Sequence, residues 1–232
     1  MTSTSGSPDS GAGRVAAFFD LDRTLIRENS GQLYALNEYK HGRLSLLQLV
    51  QSSIWLLMHH VSLLDVEAAY AKAASHWKGI PGTHVRDLAA EWFKHDVASR
   101  LTPGGARTLA THRAEGHPLV LLSNTSGYIA EAACACWSMD HWLANIIPVD
   151  ERGKITGVMD RPLCIGLGKV VKADRWSRDN GVSLEASYFY SDSLSDLPML
   201  ERVGHPYVVN PDPKLQNVAL KRGWPIVDWS TP

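Results

Sequence analysis

The chain has 232 residues, 44% of them hydrophobic and 20% charged, with 23 Lys plus Arg against 24 Asp plus Glu. This suits a single globular domain, or one with a sizeable insert, and lacks the basic excess of a nucleic-acid surface. The 3 cysteines exclude a disulfide scaffold and fit a reducing, cytoplasmic compartment. Residues 1–13 are rich in Ser, Gly and Thr and have no apolar run, so they read as a disordered tail and not as a signal peptide. Residues 15–19, Val-Ala-Ala-Phe-Phe, form a compact apolar run ending at Asp20, which predicts a buried strand.

From residue 31 to residue 100 the pattern turns helical. The expected helices are 32–40, 44–60, 64–77 and 83–98, divided by His41-Gly42 and by Gly79-Ile80-Pro81-Gly82. Residues 44–64 carry no Asp, Glu, Lys or Arg. Gln48, Ser52, His59 and Ser62 nevertheless form a polar stripe opposite Val50, Ile54, Leu57 and Val61. We read a buried or half-buried amphipathic helix and reject a membrane span, whose polar groups would sit in hydrocarbon. The apolar surplus leaves open a homodimer through this region or contact with an apolar leaving group.

Thr102-Pro103 then starts a helix, with Thr as the cap and Pro at the first position. Next come a strand at 117–122, a helix at 128–137, and a hairpin of 145–149 with 155–159 around Asp150-Glu151-Arg152-Gly153. A helix at 169–178, a strand at 187–191, a short helix at 198–202 and a strand at 207–209 follow. A helix at 214–221 and a strand at 226–227 close the pattern. Alternation of this kind predicts an α/β fold, a Rossmann-like parallel sheet with helices on both faces. The expected organisation is a core of residues 14–30 and 101–232, with residues 31–100 inserted as an all-helical cap.

Four short motifs fall at predicted strand ends or helix starts. Asp20-Leu21-Asp22-Arg23-Thr24 follows the first strand, where ligands of open α/β sheets bind. Two carboxylates so close repel unless a cation or shared proton offsets them, and hard oxygen ligands favour Mg²⁺. Ser123-Asn124-Thr125-Ser126 follows an apolar strand and precedes a helix, which makes an anion site or a simple cap. Gly166-Leu167-Gly168-Lys169 opens a helix, and Lys169 there is either a phosphate ligand or an exposed surface lysine. It is not a Walker A loop, because the Gly spacing and the hydroxyl after Lys are missing. In Ser191-Asp192-Ser193-Leu194-Ser195-Asp196, Asp192 would complete a metal site, while Asp196 would support that site or cap the next helix. Cys134-Ala135-Cys136 lacks zinc spacing and reads as a pair of buried helix cysteines. The histidines show no metal spacing such as H-E-x-x-H, and the 8 Trp read as packing.

As a set, Asp20-x-Asp22-x-Thr24, Ser123, Lys169 and Ser191-Asp192-x-x-x-Asp196 resemble the four motifs of the haloacid dehalogenase superfamily. The helical insert resembles that superfamily's small cap. Residues 190–200 and 204–213 are similar to its phosphoserine-phosphatase-like branch, subfamily IB. The resemblance implies a Mg²⁺-dependent phosphatase of small organic phosphomonoesters. It implies Asp20 as nucleophile and Asp22 as general acid and base. Asp20, Asp192 and the Asp22 carbonyl would hold the metal. Ser123, Asn124 and Lys169 would hold the phosphoryl group, with Asp196 behind them. Arg23 stands where the branch carries a small residue, and Ser191-Asp192-Ser193 replaces Gly-Asp-Gly. A phosphotransferase using the same aspartyl-phosphate, a dehalogenase and a non-catalytic binding module are the rival readings. The dehalogenase would need neither Asp22 nor a metal, and the binding module should have lost a charged member of the set.

Overall fold

The computed structural model describes residues 13–42, 45, 74–75 and 77–231. Nearly all of the expected tail and of the 44–60 and 64–77 helices lies outside the described residues. Six parallel strands form one sheet in the order β3-β2-β1-β4-β5-β6. They are β1 (Ala17–Phe19), β2 (Leu119–Ser126), β3 (His141–Asn145), β4 (Tyr188–Ser191), β5 (His205–Val209) and β6 (Ile226–Val227). The described helices are α1 (Ser30–Lys40), α2 (Gly82–Trp92), α3 (Pro103–Ala114), α4 (Gly127–Trp137), α5 (Leu167–Asn180), α6 (Leu197–Arg202) and α7 (Pro213–Arg222).

Side-chain alternation divides the core in two. Ala17, Phe19, Leu121 and Tyr190 pack with Leu109 of α3 and with Ala133 and Trp137 of α4. Phe18, Val120, Phe189 and Val208 pack with Ala173 of α5, Leu200 of α6 and Leu215 of α7. β1 is buried on both faces, as the centre of a covered parallel sheet requires. Phe18 and Phe19 are both 0% exposed, and each stabilises the fold by about 2–3 kcal/mol through burial.

The caps follow the sequence. Thr102 accepts from Gly105 N at 3.2 Å ahead of Pro103. Asp212 accepts from Lys214 N at 2.7 Å and Leu215 N at 3.0 Å. Near residue 26 the chain leaves the sheet, and it returns beside its exit point. Ile26 bridges Leu101 antiparallel, and Thr102 N donates to Leu25 O at 2.8 Å.

Four expectations need correction. β2 runs on to Ser126, past the expected end at Leu122. The strand expected from Asn145 instead ends there, as β3. His141 is exposed on this edge strand, so no clean alternation marked it. The expected hairpin shrinks to a tight turn, with one bridge between Val149 and Ile155 and a 2.8 Å bond from Asp150 N to Lys154 O. Ile155 is buried, but Ile146 is 41%, Val149 49% and Val158 68% exposed, so most of the apolar residues that suggested strands face no core. The helix expected over 83–98 continues past α2 as a π turn, Phe93–Val97, and a 3₁₀ turn, Ala98–Arg100. The wide turn buries both Phe93 and Val97 completely.

Candidate active site

The strand order 3-2-1-4-5-6 reverses at β1, and open α/β sheets bind ligands at the carboxyl ends of strands beside such a reversal. Asp20 stands there, one residue beyond β1, with its N–H donating to Tyr190 O at 3.0 Å. Lys169 reaches it from the first turn of α5. The Lys169 ammonium donates to Asp20 Oδ1 at 2.8 Å and to Asp196 Oδ2 at 2.6 Å. Ser191 Oγ donates to the same Asp196 oxygen at 2.6 Å. Lys169 is only 2% exposed, which excludes the surface-lysine reading. The glycines before it are needed for close approach. A Cβ on Gly168 would stand 1.8 Å from Leu163 O, and Gly166 has φ +53°. Asp196 occupies the position before α6, but its carboxylate makes no capping bond and is given to Lys169 and Ser191.

Asp192 is 7% exposed and lies just past β4. Thr24 Oγ1 donates to its Oδ1 at 3.5 Å, which ties the first and fourth motifs together. Asp22 is half-buried and faces the start of α1. Its carboxylate accepts from Ser30 N at 2.8 Å and from Asn29 Nδ2 at 3.2 Å. The helix N-terminus favours negative charge at that point.

Four carboxylates, Asp20, Asp22, Asp192 and Asp196, therefore surround one buried ammonium. Burial pushes the Asp20 carboxyl up to about 7; Lys169 opposes the rise, while Asp196 and Asp22 add to it. Burial, then Asp20 and Asp196, hold Asp192 well above the usual carboxylate range. Asp22 is also raised by burial, against the bonds from Ser30. Burial alone would depress Lys169, but Asp196 and Asp20 together hold its ammonium above the usual range. This excess of desolvated oxygen donors is the set that a hard divalent cation neutralises, so the residues present fit one.

Ser123 is buried at 2% exposure in β2, the neighbour of β1. Because β2 continues, Ser126 and not Ser123 caps α4, accepting from Ile129 N at 3.4 Å. Asn124 Oδ1 accepts from Asn145 Nδ2 at 2.9 Å. Asn145 Oδ1 in turn accepts from Cys164 N at 2.7 Å, in the loop that leads to Lys169. Asn145 is 1% exposed and joins the second and third motifs, a role the sequence reading missed. The available signal was a polar residue at a strand end, hidden because the strand was placed one element too late. Of the paired cysteines, Cys134 is buried but Cys136 is exposed.

Fold and site together define an α/β protein with a buried acidic centre at the topological switch of a parallel sheet. Residues 17–201 match the family model of haloacid dehalogenase-like hydrolases, and the chain belongs to that family. It is 33% identical over 223 residues to a probable phosphatase of Mycobacterium tuberculosis, covering 94% of this chain and 77% of that protein. It is 26% identical over 217 residues to a histidinol-phosphatase of Neisseria meningitidis serogroup C, covering 92% and 98% respectively. A solved phosphoserine phosphatase carrying a phospho-aspartyl intermediate analogue superposes with a TM-score of 0.65 at 17% identity, covering 94% of each chain. That likeness bears on the fold and matches the phosphoserine-phosphatase-like architecture.

Proposed function

We propose that the chain is a Mg²⁺-dependent phosphatase of small organic phosphomonoesters that works through an aspartyl-phosphate on Asp20. The observation that carries this reading is the buried chain Asp20–Lys169–Asp196, with Asp192 beside it, at the carboxyl ends of β1 and β4. Lys169 aims and holds the Asp20 carboxylate, then lends its charge to the phosphoryl oxygens. Asp20 attacks phosphorus in line, which splits one difficult displacement into two easier ones. Asp22 gives a proton to the leaving oxygen and then takes one from the attacking water. Its hold on Ser30 N and Asn29 makes that step depend on the start of α1. Ser123, and Asn124 held by Asn145, bind the remaining phosphoryl oxygens. Asp20, Asp192 and the Asp22 carbonyl would hold Mg²⁺, which when bound offsets the charge between nucleophile and phosphate.

Residues 31–100 serve as the cap in this reading, and residues 14–30 with 101–232 as the core. The adjacent exit and return at Ile26 and Leu101 support an insertion. Among the described residues no helix is long and apolar enough to cross a membrane.

The test is phosphate release from a panel of amino-acid, sugar, nucleotide and lipid phosphates, with Mg²⁺ and with EDTA. Release that needs Mg²⁺ supports the reading, and silence across the panel rejects it. Asp22→Asn sharpens the test. Acid catalysis contributes roughly 10²–10⁴-fold, and a good leaving group needs little of it. Single-turnover phosphorylation should therefore survive with p-nitrophenyl phosphate and fail with an alkyl phosphate. Equal losses with both esters would remove Asp22 from the acid role.

A further inference from the structure

Away from the carboxylates, on the face of the sheet covered by α3, a second cluster gathers. It is built by the way α3 ends. His117 N donates to His112 O at 3.0 Å and Gly116 N to Arg113 O at 3.1 Å. These two bonds, with Gly116 at φ +74°, make a Schellman turn. That turn brings together the side chains three residues inside the helix end and two residues beyond it, where apolar residues commonly meet. Here both are histidines. His112 Nδ1 and His117 Nδ1 lie 2.9 Å apart. Glu115 is the residue at the cap, and its Oε2 lies 3.6 Å from His112 Nδ1 and 3.2 Å from His117 Nδ1.

A shared proton explains a contact between two ring nitrogens. A carboxylate oxygen converges on the same point, so three atoms that can each offer a lone pair to a metal meet there. Ligands at zinc bond lengths in a tetrahedral shell stand about 3.3 Å from one another. The three separations bracket that spacing. The other nitrogen of His112, Nε2, lies 2.8 Å from the Tyr190 hydroxyl. With Tyr190 accepting there, the Nδ1 lone pair points into the cluster, which is how metal-bound histidines are fixed. The His112 ring also packs on Tyr188, at 4.6 Å between centroids. His112 and Glu115 line a cleft of about 330 Å³ with Arg107, Thr108 and Thr111, which leaves a fourth position open to water.

We propose that His112, Glu115 and His117 form a zinc site, H-x-x-E-x-H, that clamps the last turn of α3 to the turn leading into β2. Two imidazoles and one carboxylate suit Zn²⁺ better than Mg²⁺, so this site and the acidic centre select different metals. The proposal stands apart from the phosphatase reading, and its test does not use turnover.

The full chain is stripped with EDTA, returned to excess Mg²⁺ and titrated with Co²⁺, whose visible absorption reports nitrogen-rich four-coordinate sites. One equivalent should give that absorption, and Zn²⁺ should displace it. Tyr190→Phe should weaken Zn²⁺ binding by about 10–100-fold, as outer-shell changes do. His117→Ala removes a ligand and should weaken it by more than about 100-fold. Glu115 is exposed, so Glu115→Gln repeats the ligand test even if the His117 variant unfolds. Asp192→Asn should leave the absorption unchanged. No absorption in the unaltered chain, absorption that survives both ligand substitutions, or absorption lost with Asp192→Asn would each overturn the proposal.

Discussion

The two faces of the sheet carry polar clusters of opposite character. At one, Asp20 and Asp196 share the Lys169 ammonium, with the Asp22 and Asp192 carboxylates close by. On the α3 face, two imidazoles and the Glu115 carboxylate meet. β4 serves both, because its side chains alternate. Tyr190 reaches His112 at 2.8 Å, while Ser191, the next residue, bonds Asp196 at 2.6 Å. Burial acts on the two clusters in opposite directions. It raises Asp20 to about 7, and with neighbouring His117 it lowers His112 to about 4. Desolvation disfavours charge wherever it falls. The buried carboxylates therefore carry unfavourable charge, which is what a divalent cation of the proposed kind would relieve, whereas burial favours the neutral form of His112. The proposed chemistry rests on the first arrangement and the proposed structural metal on the second.

The largest expected effect breaks the first cluster chemically. Asp20→Asn keeps the shape of the side chain but removes the nucleophile, and turnover should fall by at least about 10⁴-fold. The melting temperature should hold or rise, because one buried carboxylate is gone. Turnover within tenfold of the unaltered chain would mean that the α5 face is as structural as the α3 face.

Lys169→Met breaks the same cluster electrostatically. It leaves Asp20 and Asp196 buried at 7% and 2% exposure without their ammonium. Removing one partner of a buried ionic group typically costs about 3–5 kcal/mol. Urea unfolding at neutral pH without Mg²⁺ measures this loss. A change below about 1 kcal/mol would show that solvent reaches the pair and screens it.

Much of this was legible because the sequence states it locally. The apolar run before Asp20, the Thr102-Pro103 cap and the glycines before Lys169 each carry their own physical signal, and all fall where the structure has them. The parallel order follows from strands alternating with helices. The legible part of the site was likewise the set of charged residues at strand ends. Pairings made at a distance were hidden. Lys169 and Asp196 read equally well as a surface residue and a cap, and only the folded contacts decide. Asn145 was obscured by an edge strand without alternation. His112 and His117 were passed over because their spacing fits no common metal motif; a Schellman turn, not a helix face, brings them together.

Asn145→Ala tests whether that hidden connection matters. It removes the acceptor for the buried Cys164 N and the donor to half-buried Asn124. Leaving the buried Cys164 N–H unpaired costs about 1–3 kcal/mol. Because Asn145 holds two motifs without touching the nucleophile, KM for the ester should rise more than kcat falls. A stability loss with unchanged KM would place Asn145 in the scaffold and not in the phosphoryl pocket.

The smallest expected effect is at Arg23, exposed on the turn after β1 with φ 59°. A left-handed backbone costs a non-glycine residue about 1–2 kcal/mol, which Gly avoids while losing up to about 1 kcal/mol through its freer unfolded chain. Arg23→Gly should therefore change stability by no more than about 1 kcal/mol, in the stabilising direction. Function should move the other way. The Arg23 charge pulls down the carboxyl groups of Asp22 and Asp192 against burial. Without it the acidic end of the sheet gains net negative charge at its rim and repels a phosphate dianion. KM should rise severalfold at low salt, and the difference should shrink at 1 M salt, where charges more than about 3 Å apart are screened. A KM increase that persists at high salt would show direct contact between Arg23 and the substrate. No change in KM at any salt would show that Arg23 acts on the turn alone.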